Sequence, residues 1–314
     1  MTFRALSQTL STTLVWNRSQ PMGSRVCVVG GSGFLGENIV QEAKHRGMEV
    51  ISFDRSAPRQ PLPGVEYVQG DILDASSLKS AMSGAQAVYH CAAIADLGEA
   101  DADVMETMRT NVLGATQVAI SASEQEVDRL LLASSVYAAS NKGGFYRISK
   151  QAAESLVKEL CSRTAMTYTV LRYGSLYGPN SQEWNGLAKI IRSAMLNGAL
   201  VYKGSPNARR EYIHITDASR LSVDALAPEY AQETLVISGI GSISVRELLA
   251  TIAEMLDLEV EPRFEVDTTA SHYVRTPYAV RREAARKLVP SHFVELEAGL
   301  QELIEGMNKD ARLD

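Results

Sequence analysis

Tyr146 and Lys150 are the residues whose types and spacing most directly suggest chemistry. They lie four positions apart in FYRISKQAAESL, a stretch with helical character, so both side chains project from one face of a helix. A phenol has a pKa of about 10 in water and is a poor base at neutral pH. A lysine ammonium a few ångström away favours the phenolate and lowers that pKa. The pair could therefore remove a proton from a substrate hydroxyl.

Two serines, Ser134 and Ser135, close the predicted strand that precedes this helix. A hydroxyl at this place could donate a hydrogen bond to the substrate oxygen and stabilise the charge that develops on it. Either serine could equally serve only to cap the strand. Strand alignment favours Ser135 as the catalytic serine, and Ser134 stays a second candidate.

A glycine-rich turn, GGSGFLG at residues 30–36, follows the first predicted strand. Its glycines satisfy both GxxGxxG and GxGxxG, and they permit a tight turn and a close approach of the backbone to a pyrophosphate. The helix that begins there directs its first amides at phosphate groups. A turn that binds FAD, or no ligand, is the alternative. The residues expected to bind a dinucleotide here are Gly30, Gly33, Phe34, Leu35 and Gly36.

The second predicted strand ends in Asp54, about 20 residues beyond the glycines. A carboxylate there accepts hydrogen bonds from the adenosine ribose and repels a 2′-phosphate, which favours NAD over NADP. Arg55 follows directly and leaves NADP open. With NAD bound, hydride could leave the substrate carbon while Tyr146 takes the hydroxyl proton.

These residues are carried by an alternation of short apolar runs and helical patterns. The predicted strands are Arg25–Val29, 50–53, Val65–Gln69, Ala87–His90, 130–133 and 167–171, with a helix over 37–46. Such alternation predicts an α/β fold with a doubly wound, parallel, Rossmann-type sheet. The pattern loosens after Tyr173. Ser244 and Glu247 form a capping-box pattern before a later helix, and another helix begins near Leu296.

We therefore expect an NAD-binding Rossmann domain over residues 25–173. A smaller, mixed α/β C-terminal substrate domain covers residues 174–314, with some segments returning to the first domain. Residues 1–24 hold two arginines, eight Ser/Thr and no acid. This composition is compatible with an organellar transit peptide, but we favour an over-extended start or a loose tail.

Composition excludes several classes of protein. The net charge of −6 argues against a nucleic-acid partner. No apolar run reaches the roughly 18 residues that span a membrane. The three cysteines form no CxxC and the five histidines no HxxxH, so we expect no disulfide framework and no metal. A reducing, cytoplasmic location follows as the default.

Taken together, the motifs resemble the extended short-chain dehydrogenase/reductase family, also called the NAD-dependent epimerase/dehydratase family. The glycine turn and YxxxK match its motifs in the right order, as do LRYGSLYGP (171–179) and REYIHITDA (210–218). Further residues that match cofactor-contacting positions of the family are Asp71 and Ile72 in QGDILD, Ala92 and Ala93 in HCAAI, and Asn111 in NVLGAT.

The resemblance implies a nucleotide-binding domain, a substrate domain, and a homodimer formed through a four-helix contact. It also implies nucleotide-sugar substrates, with Arg210 near the diphosphate, where a guanidinium is well suited, and with Lys150 holding the nicotinamide ribose. Arg210 could instead be a surface charge. Ser175 and Tyr273 are further candidate substrate contacts. His272, Tyr273 and Tyr278 could line the pocket or form a strand surface.

Departures from the family pattern narrow the reaction. SSVYAAS lacks the acid pair of the 4,6-dehydratases and the Glu of the decarboxylases, which removes support for dehydration and decarboxylation. Ser135 precedes Tyr146 by a short segment, which predicts a more open pocket. Ser175 stands where sugar-nucleotide members have Asn.

The leading hypothesis is an NAD-dependent nucleotide-sugar epimerase that works at the 4-position through a keto intermediate. The alternative is a dehydrogenase or reductase of a sugar or another small hydroxyl or carbonyl compound. A non-enzymatic dinucleotide sensor is a third, remote reading of the same fold.

Overall fold

The computed structural model describes residues 24–266, 272–277 and 285–310. The expectations for residues 1–23 and for Tyr278 lie outside these ranges. The strands are β1 (Arg25–Val29), β2 (Glu49–Asp54), β3 (Val65–Gln69), β4 (Ala87–His90), β5 (Arg129–Ser135), β6 (Thr167–Tyr173), β7 (Ser175–Tyr177), β8 (Val201–Lys203), β9 (Arg209–Arg210), β10 (Tyr212–His214), β11 (Glu233–Ile237), β12 (Ile243–Ser244), β13 (Arg263–Glu265) and β14 (Arg286–Leu288).

Helices connect most of these strands. They are α1 (Phe34–His45), α2 (Ala75–Met82), α3 (Leu97–Ala102), α4 (Val104–Met108), α5 (Ala115–Glu124), α6 (Gly144–Ser162), α7 (Gly186–Asn197), α8 (Ile215–Asp224), α9 (Val245–Met255) and α10 (Leu296–Asp310). A π-helical turn (Arg109–Gly114) runs into α5, and 3₁₀ turns cover Val136–Ala139 and Pro228–Tyr230.

The eight-stranded sheet confirms the predicted doubly wound α/β architecture. Its order is β14-β11-β6-β5-β4-β1-β2-β3, and each neighbouring pair is parallel. Strand order reverses between β1 and β4, where the carboxyl ends of the strands open a crevice. The two strands contributed by the C-terminal half, β11 and β14, extend the sheet beyond β6.

Helices cover both faces of the sheet. Along β1, Val26 and Val28 pack on the face that α1 covers, while Cys27 and Val29 pack on the opposite face with residues of α2, α5 and α6. This alternation buries β1 on both sides, as expected for a central parallel strand. A third core forms among α7, α9 and α10 in the C-terminal half.

Local sequence signals account for most of the helix starts. Ser244 Oγ accepts a hydrogen bond from Glu247 N, and the Glu247 carboxylate accepts one from Ser244 N, so the predicted capping box is confirmed at α9. The first helix begins at Phe34, three residues before the predicted start at residue 37, and Gly33 is its N-cap. No helix within the described residues is long and apolar enough to cross a membrane.

Candidate active site

A cleft of about 1080 Å³ opens at the carboxyl ends of β1, β2, β4, β5 and β6 and extends into the C-terminal half. The glycine turn and Asp54 line one end, and Tyr146 and Lys150 line the middle. Trp184, Tyr202 and Arg210 line the other end. One continuous space therefore joins the predicted cofactor, catalytic and substrate residues.

The glycine turn is packed too closely for side chains. Gly30 has φ +85°, and a Cβ on it would lie 2.4 Å from Ala92 N. A Cβ on Gly36 would lie 2.0 Å from Gly30 O. Gly33, the N-cap of α1, leaves the helix without a side-chain cap, so its first amides are available to phosphate oxygens. All five predicted residues of this turn line the cleft.

Asp54 is held in place by backbone amides at the same end of the cleft. Its carboxylate accepts hydrogen bonds from Ser32 N at 3.0 Å and from Ser56 N at 2.9 Å. Arg55 also lines this end of the cleft, as do the four further expected cofactor contacts Asp71, Ile72, Ala92 and Ala93. A carboxylate held beside an uncapped helix N-terminus fits a dinucleotide whose adenosine ribose carries no 2′-phosphate.

Asn111 is the expected cofactor residue that does not line the cleft. It lies in the π-helical turn and is buried. Its amide accepts from Ile94 N, donates to Ile94 O at 2.9 Å, and donates to Ser149 Oγ at 3.0 Å. Asn111 therefore braces the loop after β4 against α6, and its contact with the cofactor stays a prediction.

Tyr146 and Lys150 lie near the start of α6 and are both buried. Burial raises the pKa of Tyr146 to about 12, and a hydrogen bond with the Ser135 hydroxyl opposes that rise. Burial lowers the pKa of Lys150 to about 8. The Lys150 ammonium donates to Ala133 O at 3.0 Å and lies 5.8 Å from the centre of the Tyr146 ring.

The expectation that Lys150 lowers the pKa of Tyr146 is not met. Burial dominates that pKa, and Ser135 is the group that counteracts it. The ammonium lies over the phenol ring and donates a hydrogen bond to Ala133 at the end of β5. A positive charge on a bound cofactor would further favour ionisation of Tyr146.

The two candidate serines point to different partners. Ser135 bonds the Tyr146 hydroxyl and accepts from Tyr137 N at 3.2 Å. The Ser134 hydroxyl donates instead to Glu154 Oε1 at 2.6 Å, in a buried contact behind the site. Successive residues of a strand face opposite sides of the sheet, which is why only Ser135 reaches the phenol.

Arg210 lies at the far end of the cleft and is 6% exposed. Its guanidinium lies over the Tyr273 ring at 4.5 Å and donates to Tyr202 Oη at 3.4 Å. Ser175 in turn bonds the Tyr273 hydroxyl. No carboxylate of the described residues pairs with Arg210. The three predicted substrate residues therefore lie together, with Arg210 as a buried cation that has no anionic partner among the described residues.

An aromatic wall stands where the short segment before α6 predicted an open pocket. Tyr137 packs edge-on to Tyr146 at 6.2 Å between ring centres and against Tyr273 at 4.9 Å. Its hydroxyl bonds His272 Nδ1 at 2.8 Å. Gly143, with φ +99°, leaves room for the Tyr137 ring. The wall thus links the catalytic end of the cleft to Arg210.

The sequence profile of the NAD dependent epimerase/dehydratase family matches residues 26–238. The matched span holds the glycine turn, Asp54, Tyr146, Lys150 and Arg210. The chain belongs to this family. Members are NAD-dependent by definition, and the glycine cradle, the uncapped α1 N-terminus and the fixed Asp54 carboxylate of this member fit NAD.

Relatives of this family member include enzymes of two kinds. A 3-beta-hydroxysteroid dehydrogenase of Mycolicibacterium neoaurum is 30% identical over 219 residues, covering 60% of this chain and 58% of the relative. A putative UDP-glucose 4-epimerase of Methanocaldococcus jannaschii is 22% identical over 308 residues, covering 91% of this chain and 99% of the relative. The chain spans about three fifths of the length of the first curated relatives that it matches.

Among solved structures, the UDP-glucuronic acid 4-epimerase of Bacillus cereus in complex with UDP-glucuronic acid and NAD has a TM-score of 0.78 to this chain. The two are 18% identical, and the match covers 91% of this chain and 99% of that one. At this identity the likeness shows a shared fold.

Several lining residues of this epimerase/dehydratase-family chain were missed from the sequence. They are Tyr137, Gln182, Trp184, Lys189, Tyr202 and Lys203. Tyr137 directly follows the serines, and its aromatic ring in SSVYAAS was the available signal. Gln182 and Trp184 lie in the loop before α7, Lys189 lies in α7, and Tyr202 and Lys203 lie on the three-residue strand β8. No motif in the sequence marks them.

Proposed function

We propose that the protein is a nucleotide-sugar epimerase that acts at the sugar 4-position with NAD. The observation that carries this proposal is the buried Arg210, which faces the same cleft as Tyr146 and has no carboxylate partner among the described residues. A desolvated cation of this kind calls for an anionic ligand. A nucleotide diphosphate supplies that anion and would place its sugar toward Tyr146.

The chain's own residues divide the reaction between them. Tyr146 takes the proton of the 4-hydroxyl and later returns it, which requires its phenolate. The single Ser135 hydroxyl proton is donated either to the Tyr146 phenolate or to the reacting oxygen, and it stabilises the negative charge on whichever of the two accepts it. Lys150 holds the cofactor ribose. A bound NAD would supply the hydride acceptor and donor that inversion at C4 through a 4-keto sugar requires.

Two proteins similar to this chain support the proposed substrate class. The Bacillus cereus enzyme is a 4-epimerase described with UDP-glucuronic acid, and its chain matches this one almost end to end. The Methanocaldococcus jannaschii protein, named a putative UDP-glucose 4-epimerase, matches over a similar length. We therefore propose a UDP-linked hexose or hexuronic acid as the substrate.

Turnover of a substrate panel tests the proposal. UDP-glucose, UDP-glucuronic acid and UDP-N-acetylglucosamine are incubated with the NAD-loaded protein, and the C4 epimers are followed by proton NMR. We expect interconversion of one of these pairs without net formation of NADH. Loss of that activity in Arg210→Met, with retention in the exposed neighbour variant Arg209→Gln, would link it to the buried cation. No epimer with any UDP-sugar would overturn the proposal.

A dehydrogenase or reductase is the second candidate, and it has specific support. Ser135 and Tyr146 are separated by a short segment, Ser175 replaces the family's Asn, and the Mycolicibacterium neoaurum relative is a hydroxysteroid dehydrogenase. The same Tyr146 and Ser135 would serve that reaction. Accumulation of NADH in step with oxidised product would select this candidate.

We further propose that the protein forms a homodimer through α5 and α6. These adjacent helices, together with α4 and the π-helical turn, carry exposed apolar side chains. They are Met105, Leu113, Ile120, Phe145, Ile148 and Leu156. Exposed apolar side chains concentrated on neighbouring helices are typical of a surface that a second copy covers.

A further inference from the structure

Glu154 lies one turn beyond Lys150 on α6, and Lys150 lies one turn beyond Tyr146. The spacing of four residues places all three on the face of α6 that packs against β5 and β6. Glu154 is 4% exposed, so this face ends in a buried carboxylate. Burying a carboxylate is costly unless it is paired and hydrogen-bonded.

The Glu154 carboxylate is clamped from both strands. It accepts from Ser134 Oγ at 2.6 Å and from Arg172 Nε and Nη2 at 2.9 and 2.8 Å. Ser134 belongs to β5 and Arg172 to β6. The forked contact with Arg172 fixes the orientation of the carboxylate as well as its position. The clamp therefore fastens the reactive face of α6 to the two strands behind the site.

Glu154 also lies within electrostatic range of Lys150. The groups that oppose the effect of burial on the pKa of Lys150 are Cys91 and Glu154. Burial raises the pKa of the Cys91 thiol to about 12 and lowers that of His90 to about 3, so both are neutral at physiological pH. The phenol of Tyr146 is neutral as well. Glu154 is thus the formal anion that favours the Lys150 ammonium.

We propose that Glu154 is a positioning residue, whose carboxylate fastens α6 to the sheet and holds Lys150 in its charged state. Ser134, the serine that faces away from the phenol, acts through this carboxylate. The inference rests on the proposed reaction, in which charged Lys150 holds the cofactor next to Tyr146. It assigns a role to a buried ion pair that makes no contact with substrate.

Paired variants separate the charge of Glu154 from its contacts. Glu154→Gln keeps the shape and loses the charge, whereas Glu154→Asp keeps the charge and shortens the reach. Because the Arg172 cation is left unpaired in Glu154→Gln, the double variant Glu154→Gln/Arg172→Gln removes both charges and avoids that cost. Lys158→Gln is the matched control, since Lys158 is partly exposed and lies 4.0 Å from the same carboxylate.

The pH dependence of kcat/KM and of NAD affinity by calorimetry, from about pH 6 to about pH 10, is the readout. In Glu154→Gln, we expect the alkaline limb of both profiles to move to lower pH by more than about 0.5 pH unit. The double variant should show a smaller shift in the same direction, because it also loses the Arg172 cation. Glu154→Asp keeps the wild-type limb with a loss in kcat, and Lys158→Gln matches wild type throughout.

If folded Glu154→Gln keeps the wild-type alkaline limb in both pH profiles, the proposal is overturned and Glu154 is a structural brace only. If Glu154→Gln does not fold, the same result in the double variant overturns the proposal. Wild-type protein that binds NAD but turns over no nucleotide sugar would contradict the proposed function instead. In that case the NAD-affinity profiles still decide the role of Glu154.

Discussion

Among the described residues, the Ser135 hydroxyl is the one polar side chain that opposes the effect of burial on the pKa of Tyr146, so its removal gives the sharpest quantitative prediction. With the pKa of Tyr146 at about 12, the phenolate fraction at pH 7 is only about 10⁻⁵. Ionisation then costs about 7 kcal/mol. Any group that stabilises the phenolate reduces this cost directly.

Replacing Ser135 with Ala removes that hydrogen bond and also the contact with Tyr137 N. A hydrogen bond to a charged group contributes about 1.5–3 kcal/mol. At about 1.4 kcal/mol per tenfold change in rate, kcat/KM should fall by roughly 10- to 150-fold. Ser134→Ala deletes a contact to Glu154 rather than to the phenol, so its loss should stay below about tenfold.

Steady-state kinetics of the two variants, with the ultraviolet difference titration of the phenolate referenced to Tyr146→Phe, measure these effects. We expect Ser135→Ala to raise the pKa of Tyr146 and Ser134→Ala to leave it in place. A larger loss of kcat/KM in Ser134→Ala than in Ser135→Ala would refute the assignment. So would an unchanged phenol titration in Ser135→Ala.

Other substitutions probe the remaining parts of the cleft. Tyr146→Phe should lower kcat by roughly 10²- to 10⁴-fold while NAD binding by calorimetry stays within a few-fold, since the phenol is the base; full activity would exclude that role. Asp54→Asn should weaken NAD binding by about tenfold or more and improve NADP binding, because the carboxylate that repels a 2′-phosphate is lost; an unchanged preference contradicts the assignment of Asp54. Arg210→Met should raise KM for the UDP-sugar by roughly 10- to 150-fold with a smaller change in kcat; an unchanged KM excludes contact with the diphosphate. Leu113→Asp should convert the dimer to monomer in sedimentation equilibrium, and a wild-type monomer would contradict the proposed interface.

The nucleotide-binding half was predictable because its signals are local. The limits of β1 and β3 were predicted from short β-rich runs of five residues. The order of strands and helices follows from the alternation of such runs with helical patterns. The glycine turn was recognisable from its spacing alone, although the contact that excludes a side chain at Gly30 is a tertiary one with Ala92. The predicted ends of β5 and β6 fell two residues short because serines and an arginine continue these strands into the site.

The site itself was only partly predictable, because long-range packing decides its electrostatics. The spacing of Tyr146 and Lys150 indicated a shared helix face but could not show that burial outweighs the lysine's effect on the phenol pKa. Asn111 matched a family position, yet its direction depends on a π-helical turn that sequence periodicity does not mark. Tyr137 and His272 meet across 135 positions of sequence, a pairing for which no local pattern exists.

Transfer of a hydrogen isotope at C4 tests the central claim most directly. UDP-sugar deuterated at C4 is incubated with NAD-loaded protein, and both epimers are analysed by mass spectrometry and NMR. If Tyr146 and Ser135 serve an epimerisation in which hydride leaves C4 and returns to it, the product epimer retains the deuterium at C4 and none accumulates in free NADH. Deuterium lost from the sugar and recovered in released NADH would contradict the account and identify a dehydrogenase.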